Sequence, residues 1–176
     1  PFPESSINEL FPVLDEINFA IKNLEKWMKP RSQCTPITLF PARSEVRFEA
    51  KGQVLILAPW NYPFQLVMAP VIAAVAAGNV IMVKPSEKTP QTTRVMTEIL
   101  QRIFQKNEVA VFDGDYRVAE ALLELPFDHI FFTGSTAIGR KVMSAAARHL
   151  SSVTLELGGK SPTIVHRDAN LNAAAE

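Results

Sequence analysis

The sequence predicts a doubly wound α/β domain, a parallel sheet with helices on both faces. Two observations carry this. Four short apolar runs, residues 54–57, 80–83, 109–112 and 130–132, are each followed by a helical stretch, and a fifth run, 153–157, follows the last of those helices. Strands that are almost continuously apolar and separated by helices belong to a parallel sheet covered on both sides. The helices carry their own punctuation. Gly78 stands where a C-terminal cap belongs, and Thr89-Pro90 supplies an N-cap followed by proline at the first helical position.

Ahead of the sheet, Ile7, Leu10, Phe11, Leu14, Ile17, Ile21, Leu24 and Met28 recur at helical spacing as far as the breaker Pro30. Ser6-Ile7-Asn8-Glu9 has capping-box form for that helix. Residues 37–40, and Val46, Phe48 and Ala50 alternating with Arg47 and Glu49, predict a solvated hairpin turning at 41–44, with an exposed face suited to interaction. After the fifth strand, 163–166 reads as one further strand and 168–176 as the start of a helix. The expected organisation is an N-terminal helix and link over 1–34, a hairpin arm over 35–51, a ligand-binding α/β domain over 52–160, and the start of an incomplete domain over 161–176. A start at Pro1 and an end inside a helical run are expected of a piece of a longer protein.

Composition narrows the function. With 176 residues, 47% of them hydrophobic, the chain is long enough for one domain that buries ~70% of its unfolded surface. Eighteen Lys and Arg balance eighteen Asp and Glu, so neither nucleic acid nor an anionic membrane is an expected partner. A small ligand or a partner protein fits better. The longest nearly apolar stretch, 66–77, contains a proline and is short of the ~20 residues of a membrane span. One cysteine, Cys34, and no Asn-x-Ser/Thr sequon exclude a disulfide framework and a two-cysteine metal site, and make the reducing cytoplasm the default compartment. His129, His149 and His166 lack ligand spacing, so no metal site is expected.

In an open α/β sheet, ligands bind beyond the carboxyl ends of the strands. Those ends carry Trp60-Asn61, Lys84-Pro85-Ser86-Glu87, Asp113-Gly114, Thr133-Gly134-Ser135-Thr136 and Glu156-Leu157-Gly158-Gly159. The segment 131–139 passes from a strand through a glycine turn into a helix over 138–149. Such a helix start either offers N–H groups to a phosphate or is a plain connection. Two phosphate motifs fail here: Thr136 replaces the middle glycine of G-x-G-x-x-G, and in the P-loop frame Arg140 follows Gly139 while Lys141 comes one place late, ~100° around the helix. Lys84 and Glu87, three residues apart on a stiff loop, suit either ribose hydroxyls or a solvated ion pair. Glu156 lies between Leu155 and Leu157, where burial would raise a carboxyl pKa toward that of a working base; the alternative is an ordinary outward strand residue. Asn61, fixed by Pro59 and Pro63, is a rigid amide of the kind an oxyanion site requires, although such turns also occur without chemistry.

Together these segments carry a resemblance. Pro59-Trp60-Asn61-Tyr62-Pro63-Phe64, Lys84-Pro85-Ser86-Glu87-Lys88-Thr89-Pro90, Phe132-Thr133-Gly134-Ser135-Thr136-Ala137-Ile138-Gly139 and Leu155-Glu156-Leu157-Gly158-Gly159-Lys160-Ser161-Pro162 stand in the order, and at about the spacing, of the aldehyde dehydrogenase superfamily. The W-N-Y-P and K-P-S-E forms most resemble its class 3 and fatty- or aromatic-aldehyde branch. The resemblance covers nearly the whole chain, and it implies the family's variant Rossmann fold, an oligomerisation arm at the hairpin, and a homodimeric or homotetrameric parent.

It also implies a reaction. A cysteine thiolate attacks an aldehyde, a hydride passes to NAD(P)+, and water hydrolyses the thioester to an acid. Carried over residue by residue, Asn61 would donate its amide to the oxyanion, and Glu156 would activate the cysteine or the water. Lys84 and Glu87 would hold the adenosine ribose. Gly134 and Ser135 with the helix start at Thr136, Ala137, Ile138 and Gly139 would hold the pyrophosphate, while Trp60 would line its path and Leu157 would complete the cofactor set. NAD is the expected cofactor, with NADP partly accepted, because Glu87 repels a 2′-phosphate that Lys84 attracts. By the same resemblance the nucleophilic cysteine falls beyond Glu176, so this chain is expected to be the cofactor-binding part. A non-catalytic dinucleotide-binding module is the alternative; a P-loop hydrolase is weakened by Arg140 and Val142.

Overall fold

The computed structural model describes residues 5–175. A single wide helical turn, Ser6–Leu10, runs into helix α1 (Phe11–Met28), which ends before Pro30 as expected. Ser6, the expected cap, lies inside this turn and not ahead of it. The residue preceding the turn, Ser5, makes no side-chain cap bond, and Glu9 instead reaches across the fold to accept the Phe64 N–H at 2.7 Å. Phe64 is the N-cap of a later helix, where a carboxylate meets the positive end of the helix dipole, a better site than its own first turn.

The hairpin also differs from expectation. The antiparallel pair is β1 (Arg31–Gln33) with β2 (Ser44–Val46), Arg31 facing Val46 and Gln33 facing Ser44. Residues Ile37–Leu39 form a tight 3₁₀ turn instead of a strand. Pro36 and Pro41 bracket that segment and remove ladder donors at both its ends, so a turn closed by Leu39 N–H to Pro36 O replaces pairing.

The main sheet follows the predicted runs. Its strands are β3 (Gln53–Leu57), β4 (Val80–Lys84), β5 (Val109–Val111), β6 (His129–Gly134) and β7 (Ser152–Leu157), in spatial order β5-β4-β3-β6-β7 and all parallel. The connecting helices are α2 (Gln65–Ala76), α3 (Pro90–Ile103), α4 (Tyr116–Leu123) and α5 (Thr136–Ala147). The chain steps outward from β3 to β5, then returns to the other side of β3. Right-handed crossovers therefore put α2 and α3 on one face, and α4 and α5 on the other. Side chains alternate accordingly: Val54, Ile56, Ile81 and Val83 pack with Val67, Val71, Met96 and Leu100, whereas Leu55, Leu57, Ile130 and Phe132 pack with Leu122, Val142 and Ala146. Between β3 and β6 the direction of travel reverses, and ligands of such sheets bind beyond that point.

Element ends show further corrections. Gly78, at φ +81°, follows the C-cap of α2 as expected. Thr89 is the N-cap of α3, but its hydroxyl donates to the Ser86 carbonyl and caps nothing. Helix α5 begins at Thr136, two residues earlier than expected, because Ser135 is extended and its Oγ accepts the Ile138 N–H at 3.4 Å. Residues 163–166 form no strand. No described strand runs beside them, and a strand without a partner leaves its backbone groups unpaired. A short helix, α6 (Leu171–Ala174), follows, capped by Asn170; residue 176 of the expected helix lies outside the described residues.

Candidate functional site

Lys84 ends β4 with only 5% of its surface exposed. A buried ammonium requires partners, and Lys84 Nζ donates to the Pro85 carbonyl at 2.9 Å and to Glu87 Oε2 at 3.0 Å. The loop between them is braced by Ser86, whose Oγ accepts the Lys88 N–H and whose carbonyl accepts the Thr89 N–H, both at 3.3 Å. A hydrogen bond from its own backbone N–H, then the one from Lys84, holds the half-exposed Glu87 carboxyl below the usual glutamate range.

This pair stands at one end of a crevice of about 520 Å³. Leu57, Ala58 and Phe132 form its floor at the carboxyl ends of β3 and β6. From α4 come Tyr116, Ala119, Glu120 and Leu123, at the spacing that places them on one helix face; from α5 come Ile138, Lys141 and Val142. The N-terminus of α4 is held by Asp115, which accepts the Arg117 N–H at 3.0 Å and the Arg117 Nε at 2.9 Å, and the guanidinium keeps that carboxyl low.

Gly134 ends β6 opposite Leu157, and Ser135 turns the chain into α5. A Cβ at either glycine of the segment would force a neighbouring side chain to shift. A Cβ on Gly134 would lie 2.5 Å from the Phe132 ring, and one on Gly139 would lie 2.8 Å from Leu157 Cδ2. Leu157 thus packs on α5. The hydroxyl of Ser135 takes the Ile138 N–H, and its carbonyl takes that of Gly139, while Thr136 and Ala137 have no side-chain cap among the described residues.

The remaining candidates lie off the crevice. Trp60 is largely exposed on the loop after β3, with the Lys88 ammonium 5.6 Å from its ring centre. Asn61 follows it, also exposed, on a loop whose far end is tied down by Glu9. Glu156 is a correction: it is exposed, not buried, because β7 is the sheet edge and the residues after it are exposed too. It pairs in register with Thr133 and shares a sheet face with Thr154, whereas Leu155 and Leu157 belong to the opposite face. Lys84, Glu87 and Ile138 therefore meet at one crevice on the α4/α5 face, and Glu156 stands on the other face. Sequence reading missed Tyr116, Glu120 and Lys141. The signal was present in the i, i+3, i+4 spacing of Ile138, Lys141 and Val142.

A family model described as the aldehyde dehydrogenase family matches residues 1–176. This chain belongs to the aldehyde dehydrogenase family. Aldehyde dehydrogenase family 3 member H1 of Arabidopsis thaliana is 44% identical over 171 residues, which are 97% of this chain and 35% of that protein. The structure of Staphylococcus aureus AldH in its substrate-bound state superposes with a TM-score of 0.89 at 45% identity, over 98% of this chain and 38% of that one. A Mycobacterium tuberculosis aldehyde dehydrogenase complexed with NAD+ superposes at 0.77 with 31% identity, over 92% of this chain and 33% of that one. This aldehyde dehydrogenase family chain spans less than two fifths of the length of these relatives.

Proposed function

We propose that this chain is the dinucleotide-holding part of an enzyme that oxidises an aldehyde to an acid with NAD(P)+. The crevice carries the reading. Its walls on α4 and α5 are mostly apolar and suit a flat base, and the Lys84–Glu87 pair at its end offers one donor and one acceptor for ribose hydroxyls. The start of α5, at Gly134, Ser135, Thr136 and Ala137, offers backbone N–H groups and a dipole end to a pyrophosphate, and Gly139 lets Leu157 pack close against it. When bound, the nicotinamide ring supplies a hydride acceptor. The complex of the Mycobacterium tuberculosis relative with NAD+ supports the same cofactor class.

The protein's own groups divide the remaining work. Asn61 donates its amide to the oxygen that becomes negative when a nucleophile adds to the aldehyde, on a loop braced by Glu9. Glu156 takes a proton from the nucleophile or from the hydrolytic water; Gly158 and Gly159 beside it stand in open space and leave its carboxylate room to swing. Trp60 lines the approach, and Leu157 holds the end of β7 against α5. Cys34 is exposed on the link between β1 and β2 and is not the nucleophile of this scheme. NAD is the preferred cofactor, since the Lys84 charge is already matched by Glu87. The β1–β2 arm joins subunits.

Calorimetric titration of NAD into the whole protein tests the reading, with Lys84→Met beside it. The expected result is NAD binding in the wild type and a loss of at least about tenfold in the variant. A protein that binds no dinucleotide overturns the reading. One that binds NAD but turns over no aldehyde is the non-catalytic module instead.

A further inference from the structure

Three lysines stand at or near the crevice, and the structure commits two of them elsewhere. Lys84 is buried and bonded to the Pro85 carbonyl and to Glu87. Lys88 lies over the Trp60 ring. The third, Lys141, lines the crevice from α5, one helical turn beyond Ile138. It is exposed and has no ion-pair partner among the described residues, although Glu120 lines the facing wall on α4. Lys141 also borders a shallow depression shared with Arg140, Ser144 and Arg148, but Arg148 is spent on Glu124 through two bonds of 2.7 Å. An unpaired ammonium lining a largely apolar crevice, where local screening is weaker than in bulk water, favours an anionic group on the ligand.

We propose that Lys141 is the specificity-determining cation of the crevice, the residue that receives the 2′-phosphate of NADP and so sets how far NADP is accepted beside NAD. This rests on the dinucleotide reading of the crevice. Its basis is the division of charge. The Lys84–Glu87 pair is neutral as a unit, and in NADP the 2′-phosphate replaces one of the ribose hydroxyls that this pair would hold and meets the Glu87 carboxylate, so its charge calls for a cation that no carboxylate already neutralises. The flexible four-carbon stem of Lys141 lets its ammonium follow that phosphate across the mouth between α4 and α5.

The test is calorimetric titration of NAD and NADP into the whole protein as wild type, Lys141→Gln and Lys141→Arg, at low and high ionic strength. Expected are a loss of roughly tenfold in NADP affinity for Lys141→Gln, with NAD within about twofold, and near wild-type values for Lys141→Arg. The NADP loss should shrink at high salt, as a contact between accessible charges does. An unchanged NADP-to-NAD ratio, equal weakening of both cofactors, or a wild type that binds NAD but not NADP overturns the proposal and leaves the crevice reading intact. A wild type that binds neither dinucleotide overturns both. Because Lys141 is exposed, its substitution leaves the core untouched.

Discussion

An ammonium with 5% exposure is costly unless its neighbours replace water, and Lys84 shows both replacements within three residues. Its partner gains as well. Glu87 is held below the ordinary glutamate value of 4.5, so what its ionisation adds to stability is present above that pH and is lost as pH falls through the lowered value. Asn61 and Glu156 are exposed and have no such partners among the described residues. In the whole protein, Asn61→Ala should slow the acylation burst by ~10²–10³, the usual effect of removing one oxyanion donor, with dinucleotide affinity nearly unchanged. Glu156→Gln should slow thiol activation or hydrolysis by ~10²–10⁴ with the cofactor still bound. Rapid-quench measurements check both, and normal turnover in either variant removes that residue from the scheme. The Lys84–Glu87 pair was legible from spacing alone. Lys141 was legible only through its spacing from Ile138 and Val142, because the P-loop frame concerns reach to a helix N-terminus, whereas Lys141 lines the side of the crevice.

At the level of elements, two long-range ties were invisible in sequence. Glu9 sits where a local capping box is plausible, yet it secures the start of α2 from a distance of 55 residues. Replacing it with Ala should cost about 1 kcal/mol, typical of a lost cap, measured as a lower urea midpoint of the whole protein. An unchanged midpoint would show that the bond contributes nothing. The second tie joins β6 to β7. Ser152 Oγ donates to the Asp128 carbonyl, so it accepts from Lys51 Nζ at 2.7 Å and from His129 Nδ1 at 2.8 Å, while His129 Nε2 shares a hydrogen bond of 3.1 Å with the Thr154 hydroxyl. This pattern puts a proton on Nδ1 of the imidazole. Burial first, and Lys51 second, lower its pKa from 6.5. Above pH 6.5 neither folded nor unfolded His129 is protonated; below it the unfolded chain gains a proton that the fold resists, so stability falls with pH. His129→Gln should flatten that acid-side slope in urea titrations, and an unaltered slope would assign it to other groups.

For the molecule as a whole, the sequence announced the five parallel strands through their apolar runs, because burial on both faces leaves no polar alternation to confuse them. The small antiparallel sheet was misread because its first strand, Arg-Ser-Gln, is polar and short and carries no such signal. Helix α1 was readable as a helix, but its apolar side is only partly covered: Val13 and Ala20 are buried, while Phe11, Leu14, Ile21 and Met28 are exposed, as are Ile37 and Phe40 of the arm. So much bare apolar surface favours association. The 176-residue chain should sediment as concentration-dependent assemblies, and Ile37→Ser with Phe40→Ser should shift it toward monomer. A monomer at all concentrations would take the arm out of subunit joining.

Glu156 and Leu157 are neighbours in β7, yet one belongs to the α2 face of the sheet and the other packs on Gly139 of α5. Since a strand reverses its side chains at every step, their assignments depend on whether an odd or an even number of residues separates them from the Ser152 and Thr154 anchors. Deleting or adding one residue in that interval would exchange the carboxylate and the leucine, bringing charge against α5 and an apolar group to the position proposed for the base. The interval should therefore tolerate changes of side chain far better than changes of length: in evolutionary terms, substitutions but not single-residue indels.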